Sequence, residues 1–216
     1  MSKAPGKAAG GTKKEAILAA AERIFADKGF HGAAVREIFG LARANTGLMK
    51  YYFSSKENLF AETILRRSAE LETMFHREMD ALVERTGGHP SMEDVCLAYT
   101  GFFLKLAYDS GDGWHYYLKL LANANSVYDQ SPVGELLDRF SFILTKTAEL
   151  IRLALPAAPE PAIEKSLLYL EASTTTVLLS SRLVSSRIHR SEPLHSSDIA
   201  GDMARFFARA IVIHCM

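Results

Sequence analysis

The chain has 216 residues, of which 48% are hydrophobic, and its 25 Lys and Arg residues balance its 25 Asp and Glu residues. This composition excludes a disordered or fibrous protein, and the length suits one or two domains. The sequence has no run of roughly 18 apolar residues for a membrane helix and no apolar signal segment behind its basic N-terminus. Its two cysteines, Cys96 and Cys215, lie far apart. We therefore expect a soluble cytoplasmic protein without a disulfide scaffold or a zinc module.

The balanced net charge conceals an asymmetry along the chain. Residues 1–60 contain ten Lys/Arg and five Asp/Glu, whereas residues 61–216 contain fifteen and twenty. A basic first quarter on an acidic remainder indicates an N-terminal unit that meets a polyanion. A basic tail alone would produce much of the same excess, because Lys3, Lys7, Lys13 and Lys14 supply most of it. Charge by itself leaves these two alternatives open.

The first third of the chain carries a succession of helix signals. They are a capping box at 12–15, a glycine stop at Gly29, helical apolar spacing over 35–42, a cap at Asn45, and a second capping box at 54–57 that opens a long helix to about Leu82. Residues 1–11, before the first box, are expected to form a flexible basic tail. Residues 12–57 then form a compact helical unit.

The rest of the chain, residues 58–216, also has a helical pattern. After a break at 86–90, apolar periodicity predicts helices over about 91–108, 114–125, 132–154, 160–188 and 197–214. Ser131 followed by Pro132 is a strong helix start signal. Strand signals are scarce, so the predicted fold is all-α with about nine helices.

Three short helices with tight joints describe a helix-turn-helix, whose third helix enters the major groove of DNA. In that helix, residues 45–53, Leu48, Met49 and Phe53 can face inward while Thr46, Lys50 and Tyr51 face outward. Thr and Lys can hydrogen-bond base edges, and Tyr and Lys suit phosphates. Core packing is the favoured interpretation for Tyr52 and Phe53, because large aromatic side chains are usually buried.

Several motifs occur together over residues 12–64: Phe25-Ala-Asp-Lys-Gly-Phe30, Val35-Arg-Glu-Ile38, Tyr51-Tyr-Phe53 and Ser55-Lys-Glu57-Asn-Leu-Phe60. In combination they resemble the TetR family of bacterial transcriptional regulators. The resemblance implies an N-terminal helix-turn-helix domain and a C-terminal helical domain for effector binding and dimerisation. It also implies that Thr12, Tyr51 and Lys56 hold phosphates and that Thr46, Gly47 and Lys50 face bases. We add Arg36, Arg43 and Asn45 to the predicted DNA-contacting residues.

The chain departs from the family pattern at two positions. Arg43 stands in the helix-helix turn where the family usually has Gly, so either the turn differs or Arg43 reaches the DNA backbone. Ala33-Ala34 replaces the usual Thr/Ser cap, which predicts a weakly capped second helix.

The C-terminal region carries no sharp motif, but it suggests two surfaces. Its middle helices are rich in aromatic residues, which predicts a pocket for a small apolar or aromatic effector lined by Tyr99, Phe102, Phe103, Trp114 and Tyr117. Plain core packing is an equally good interpretation of most of these positions. The last two long helices are expected to build a homodimer interface from Leu170, Ser173, Val177 and Leu178 together with Phe206, Phe207 and Ala210.

The chain has no catalytic motif, metal-ligand spacing or phosphate-binding loop, and its seven histidines are dispersed. We therefore expect neither an enzyme nor a metal or cofactor site. The predicted function is a dimeric, ligand-responsive repressor that binds a palindromic operator. The alternative is a helical small-molecule-binding protein whose basic N-terminal unit makes only non-specific polyanion contacts.

Overall fold

The computed structural model describes residues 9–111, 113–124, 136, 138–187 and 195–216, with side chains from residue 13 onward and up to residue 179 in the long helix before residue 187. All regular structure in this described part is helical, which confirms the all-α prediction. The helices are α1 (Ala9–Gly32), α2 (Val35–Leu41), α3 (Leu48–Tyr52), α4 (Lys56–Leu65), α5 (Ser68–Arg85), α6 (Met92–Tyr108), α7 (Trp114–Ala124), α8 (Ser141–Ala154), α9 (Glu160–Arg187) and α10 (Ser196–Cys215), with a 3-10 turn at Asp138–Phe140 before α8. Among these helices, none is long and apolar enough to cross a membrane.

The N-terminal unit packs α1 to α4 around an aromatic core. Phe25 and Phe60 meet edge to face with their ring centroids 4.8 Å apart, and Phe30 lies 5.2 Å from Phe60. Gly29 adopts a positive φ of 67° and interrupts α1 at the predicted stop. The predicted start of this helix is wrong, because α1 begins at Ala9 and Thr12 lies inside it rather than at its cap. Residues 9–11 are accordingly helical and not part of a flexible tail.

The predicted long helix from residue 54 to about Leu82 is in fact two helices, α4 and α5. The backbone leaves helical geometry at Arg67 (φ −117°, ψ 5°), and both Arg66 and Arg67 turn toward the buried carboxylate of Glu22 on α1. Successive side chains on a continuous helix diverge by about 100°. A break between the helices lets both guanidiniums reach one carboxylate.

Ser55, not Ser54, caps α4. The Ser55 hydroxyl accepts a hydrogen bond from the Asn58 backbone N–H at 3.2 Å, while Ser54 has a positive φ of 66° in the turn before it. The predicted capping box at 54–57 is therefore wrong, and a single side-chain cap at Ser55 takes its place. By contrast, Ser91 and Asp94 form a complete capping box at the start of α6.

The C-terminal unit is centred on α6, which packs along α10. The Thr100 hydroxyl of α6 donates to the carbonyl of Cys96 at 2.8 Å and lies 3.2 Å from the carbonyl of Ala200 on α10. The observed bounds of α6, α7, α9 and α10 agree with the predicted ranges to within a residue or two. The predicted helix start at Ser131-Pro132 lies outside the described residues.

Helix α7 joins the two units by packing against α1. The Tyr117 hydroxyl donates a buried 2.7 Å hydrogen bond to the Ile64 carbonyl of α4, and the Asn123 amide donates to the Ala26 carbonyl of α1 at 2.9 Å. Lys119 forms a 2.9 Å ion pair with Asp27. A displacement of α7 would therefore pull directly on the N-terminal helices.

Candidate nucleic-acid interface and interior cavity

The short helix α3 follows a turn that is closed by Asn45. Its side-chain oxygen accepts the Gly47 backbone N–H at 2.7 Å, and its carbonyl accepts the N–H of Leu48 at 3.0 Å. Asn45 thus caps the turn at residues 46–47, while the α-helix itself begins at Leu48, later than predicted. A Cβ atom at position 47 would lie 3.1 Å from the Asn45 oxygen, so glycine leaves this cap undisturbed.

Residues 45–53, called here the recognition segment, have the two faces that the sequence predicts. Phe53 is buried, and Leu48 and Met49 are half-buried against the core. Thr46 and Lys50 are exposed, and Tyr51 is 78% exposed. An aromatic side chain this exposed gains nothing from the core of its own unit, which makes it available to an external partner. Tyr52, half-buried, packs against the core beside Phe53 as expected.

The turn after α2 keeps a left-handed residue even though that residue is arginine. Arg43 has a φ of 48°. Its N–H bonds to the Gly40 carbonyl at 3.1 Å, and the next N–H, of Ala44, bonds to the Phe39 carbonyl at 2.9 Å. These two bonds form a Schellman motif, which requires a left-handed residue at the position of Arg43. Lys13, on α1, also stabilises this turn, because its ammonium donates a hydrogen bond to the Arg43 carbonyl at 2.8 Å.

The start of α2 lacks a side-chain cap. Ala34 occupies the cap position with extended backbone (φ −96°, ψ 130°) and offers no side-chain acceptor. This confirms the weak cap predicted from Ala33-Ala34. An ion pair between Lys28 and Glu37, at 2.7 Å, ties the first turn of α2 to the end of α1 instead.

The predicted cationic contacts differ in their surroundings. Arg36, Arg43 and Lys50 are exposed and form no ion pair with any acid in the described part of the chain. Lys56 is half-buried, with its ammonium 4.7 Å from the centroid of the Phe30 ring. The side chain of Thr12 lies outside those that the structure describes. The three unpaired cations are therefore the strongest candidates for phosphate or base contacts.

A cavity of about 310 Å³, partly open to the surface, lies in the C-terminal unit. Its described lining residues are Tyr99, Phe103, Leu118, Leu121, Ala122, Asp138, Phe140, Ser141, Ile143, Leu144, Glu171, Thr174, Thr175 and Leu178. Of the predicted pocket residues, Tyr99 and Phe103 are thus part of it. Phe102 instead lines a separate surface groove between α5, α6 and α10, and Trp114 and Tyr117 are buried at the joint with the N-terminal unit.

The predicted homodimer residues divide into buried and exposed groups. Leu170 and Leu178 are buried within the chain, and Leu178 lines the cavity, so the assignment of these two to an interface is wrong. Phe207 is also largely buried, while Ser173 and Val177 are half-buried. Phe206 is 68% exposed, and Ala210 is exposed beside it.

An apolar surface connects α9 and α10 at these positions. It combines Tyr169, 56% exposed, with Phe206 and Ala210, and a shallow groove runs between the two helices. The hydroxyl of Ser166 is buried at this groove and has no hydrogen-bond partner among the described residues. Tyr169 was not predicted from the sequence, because apolar residues occur around the whole circumference of α9 and mark no single face.

Two acids, the buried Glu22 and the half-buried Glu171, were not predicted from the sequence. Burial raises the pKa of Glu22, while the guanidiniums of Arg67 and Arg66 oppose the shift; Arg66 lies 2.8 Å and Arg67 3.4 Å from its carboxylate. Burial also raises the pKa of Glu171, in the cavity wall. No signal in the sequence around either acid distinguishes it from a surface glutamate. Within the described residues, no three His, Cys, Asp or Glu side chains cluster as metal ligands would.

The sequence of the chain matches two known family profiles. The profile described as bacterial regulatory proteins of the tetR family matches residues 17–63, which contain the helix-turn-helix. A second profile, the tetracyclin repressor-like C-terminal domain, matches residues 98–210, just over half of the chain. The chain belongs to the TetR family. Members of this family are transcriptional regulators, so this TetR-family protein is a regulator and not an enzyme.

Individual relatives resemble either the N-terminal segment or the whole fold. The HTH-type transcriptional repressor NicS of Pseudomonas putida is 39% identical over 51 residues, which span 24% of this chain and 24% of NicS. A transcriptional regulator from Rhodococcus sp. Rha1 is 19% identical, with 91% of this chain and 96% of that chain aligned at a TM-score of 0.60. Salmonella enterica GusR is 17% identical, with coverage of 97% and 98% and a TM-score of 0.58. The last two similarities support the fold.

Proposed function

We propose that this TetR-family protein is a repressor that binds an inverted-repeat DNA operator as a homodimer. The observation that carries the proposal is the exposed face of the recognition segment, where Thr46, Lys50 and Tyr51 project from a helix whose other side is anchored in the core. Arg36, on α2, and Arg43, in the turn between α2 and this segment, are both exposed and have no acidic partner among the described residues. This is the arrangement of a helix that reads base edges while adjacent cations fix its position on the phosphates.

The apolar surface of α9 and α10 supports dimerisation. Exposed Tyr169, Phe206 and Ala210 would be covered by the same residues of a second copy across a two-fold axis. Such a dimer presents two recognition segments, which suits a two-fold symmetric operator whose half-sites lie about one helical turn or a multiple of it apart.

A ligand response through α7 completes the proposal. Leu118 and Leu121 of α7 line the cavity, while Tyr117 and Asn123 of the same helix bond to the N-terminal unit. A ligand that favours a different position of α7 would change the placement of α1 and α4, and with them the spacing of the two recognition segments. The free energy by which the ligand weakens DNA binding cannot exceed the difference in its binding free energy between the two arrangements.

The test is selection of random DNA duplexes by the purified full-length protein at physiological salt. We expect enrichment of one inverted repeat. On that sequence, Lys50→Ala should reduce specific binding far more than binding to unrelated duplexes, because a base contact is lost. Lys165→Ala, an exposed cation on α9, is the matched control and should leave both affinities unchanged.

Binding without an enriched sequence, and with an affinity that only falls as salt rises, would contradict the proposal. In that case the N-terminal unit makes non-specific polyanion contacts, and the protein is a helical ligand-binding protein without sequence readout. An enriched site that is not repeated would reject the dimeric operator alone.

A further inference from the structure

The cavity inside the C-terminal unit has an asymmetric charge. Most of its wall is apolar and comes from α6, α7, α8 and the 3-10 turn before α8, including Tyr99 and Phe103 of α6 and Phe140 of the turn. Its charged lining residues in the described part of the chain are two acids, Glu171 and Asp138, and no Lys, Arg or His is among them. Its volume of about 310 Å³ is within the range of small-molecule sites. A ligand here therefore meets apolar surface and negative charge.

Glu171 is the more informative of the two acids. It projects from α9 into the cavity wall, is half-buried, and forms no hydrogen bond or ion pair with another described residue. Burial accounts for its raised pKa, and no cationic side chain among the described residues counteracts it. The charge of Glu171 also acts on the hydroxyl of Tyr99, whose pKa is raised by burial and then by this carboxylate. Thus Glu171 and Tyr99 share one side of the cavity.

A carboxylate in such a place is costly unless something compensates it. Withdrawing a charge from water without a partner opposes folding, and buried charges in proteins are normally paired. Among the described residues, no side chain forms a hydrogen bond or ion pair with Glu171, and the neighbouring Thr174 hydroxyl donates instead to the Leu170 carbonyl of its own helix at 2.8 Å. The pairing group is therefore expected to come from the ligand.

We propose that the ligand of this cavity is a lipophilic organic cation, with its ammonium group beside Glu171 and its apolar body against Tyr99, Phe103 and Phe140. The aromatic rings stabilise the cation further, since their faces attract positive charge. Tyr99 and Phe103 already pack edge to face with centroids 5.1 Å apart, which leaves a preformed aromatic corner for the ligand. This inference rests on the ligand response of the proposed function and specifies its chemical class.

Three probes of nearly equal shape and different charge test the inference. They are 4-phenylbutylammonium, 4-phenylbutan-1-ol and 4-phenylbutanoate, titrated into the full-length protein at pH 7 and followed by calorimetry. We expect the ammonium to bind at least tenfold more tightly than the alcohol, and the carboxylate to bind most weakly. Glu171→Gln should remove the preference for the ammonium over the alcohol. Gln has nearly the same shape, and no ion pair with a described residue is lost, so the fold should be retained; a thermal melt checks this.

Glu164→Gln is the control variant. Glu164 lies on the same helix, is exposed, and is absent from the cavity wall, so the preference should survive there. Equal binding of alcohol and ammonium by the unmodified protein would overturn the inference, because Glu171 would then act as an uncharged hydrogen-bond donor. A preference that persists in Glu171→Gln, or failure of all three probes to bind, would overturn it as well.

The outcome is separable from that of the proposed function. Enrichment of an inverted repeat by a protein that shows no charge preference rejects only the ligand class. A charge preference that depends on Glu171, in a protein that enriches no DNA sequence, rejects only the operator-binding proposal.

Discussion

Replacement of Arg43 by glycine should make the protein more stable while weakening its hold on DNA. Arg43 has a φ of 48°, in the left-handed region, and its side chain is exposed without a partner among the described residues. A left-handed backbone costs an L-residue about 1–2 kcal/mol, and glycine avoids this cost. Glycine also has greater conformational freedom in the unfolded chain, which lowers the free energy of unfolding by about 0.5–1 kcal/mol. The net gain in the free energy of unfolding is then about 1 kcal/mol.

The contacts that hold the turn are made by the backbone and survive the substitution. The Arg43 N–H, the Arg43 carbonyl that accepts from Lys13, and the Ala44 N–H all remain. For a chain of this length, about 1 kcal/mol raises the melting temperature by about 2–4 °C. Differential scanning calorimetry without DNA measures this rise.

The DNA effect is read from the salt dependence of operator binding. A phosphate contact contributes about 0.9 to the slope of log affinity against log salt concentration, so a dimer lacking two copies of Arg43 should lose about two units. Arg43→Ala is the matched variant: it removes the charge but keeps a side chain in the left-handed turn. It should lose the same slope without gaining stability. A melting temperature of Arg43→Gly no higher than that of Arg43→Ala would refute the backbone reasoning, and unchanged slopes in both would refute the phosphate contact.

Three further outcomes are expected. Tyr117→Phe should lower the free energy of unfolding by about 1–3 kcal/mol in urea titration, because the Ile64 carbonyl is left without its buried donor; an unchanged midpoint would argue against this joint. Phe206→Glu should produce monomers in sedimentation analysis, since it places charge on the exposed apolar surface; a persistent dimer would place the interface elsewhere. Burial, and then the charge of Lys119, lower the pKa of His115 below its ordinary value near 6.5. As the pH falls through this value, the unfolded chain binds the proton first. The free energy of unfolding is therefore highest above the ordinary pKa and decreases below it. Melting temperatures of His115→Gln at pH 7.5 and 5.5 should differ less than those of the unmodified protein, and equal differences would contradict the assignment.

Several predictions that depended on local chemistry agree with the structure, although the caps predicted at 12–15 and 54–57 do not. The glycine stop at Gly29, the capping box at Ser91 and the weak cap at Ala34 each involve groups a few residues apart, so the sequence contains the whole interaction. The two faces of residues 45–53 also follow from helical spacing against one core. The Arg43 turn was left open between two outcomes, and the structure keeps the left-handed geometry despite the residue type.

Tertiary packing alone decided the features that join distant parts of the chain. The periodicity of 54–82 predicts one helix, yet the helix breaks at Arg67, where both Arg66 and Arg67 pair with Glu22, more than forty residues earlier in the chain. The helix α9 is apolar on nearly all sides, so periodicity could not tell that Leu170 and Leu178 face inward while Tyr169 faces out. Likewise, nothing in the sequence distinguishes Glu171 from a surface glutamate. Only the packing of the helices around it places its side chain in the cavity wall. The sequence thus determined most of the helices, the caps at Gly29 and Ser91, and the outward face of the recognition segment. The cavity, its charge and the joint between the two units depend on contacts between residues far apart in the chain, which no local pattern records.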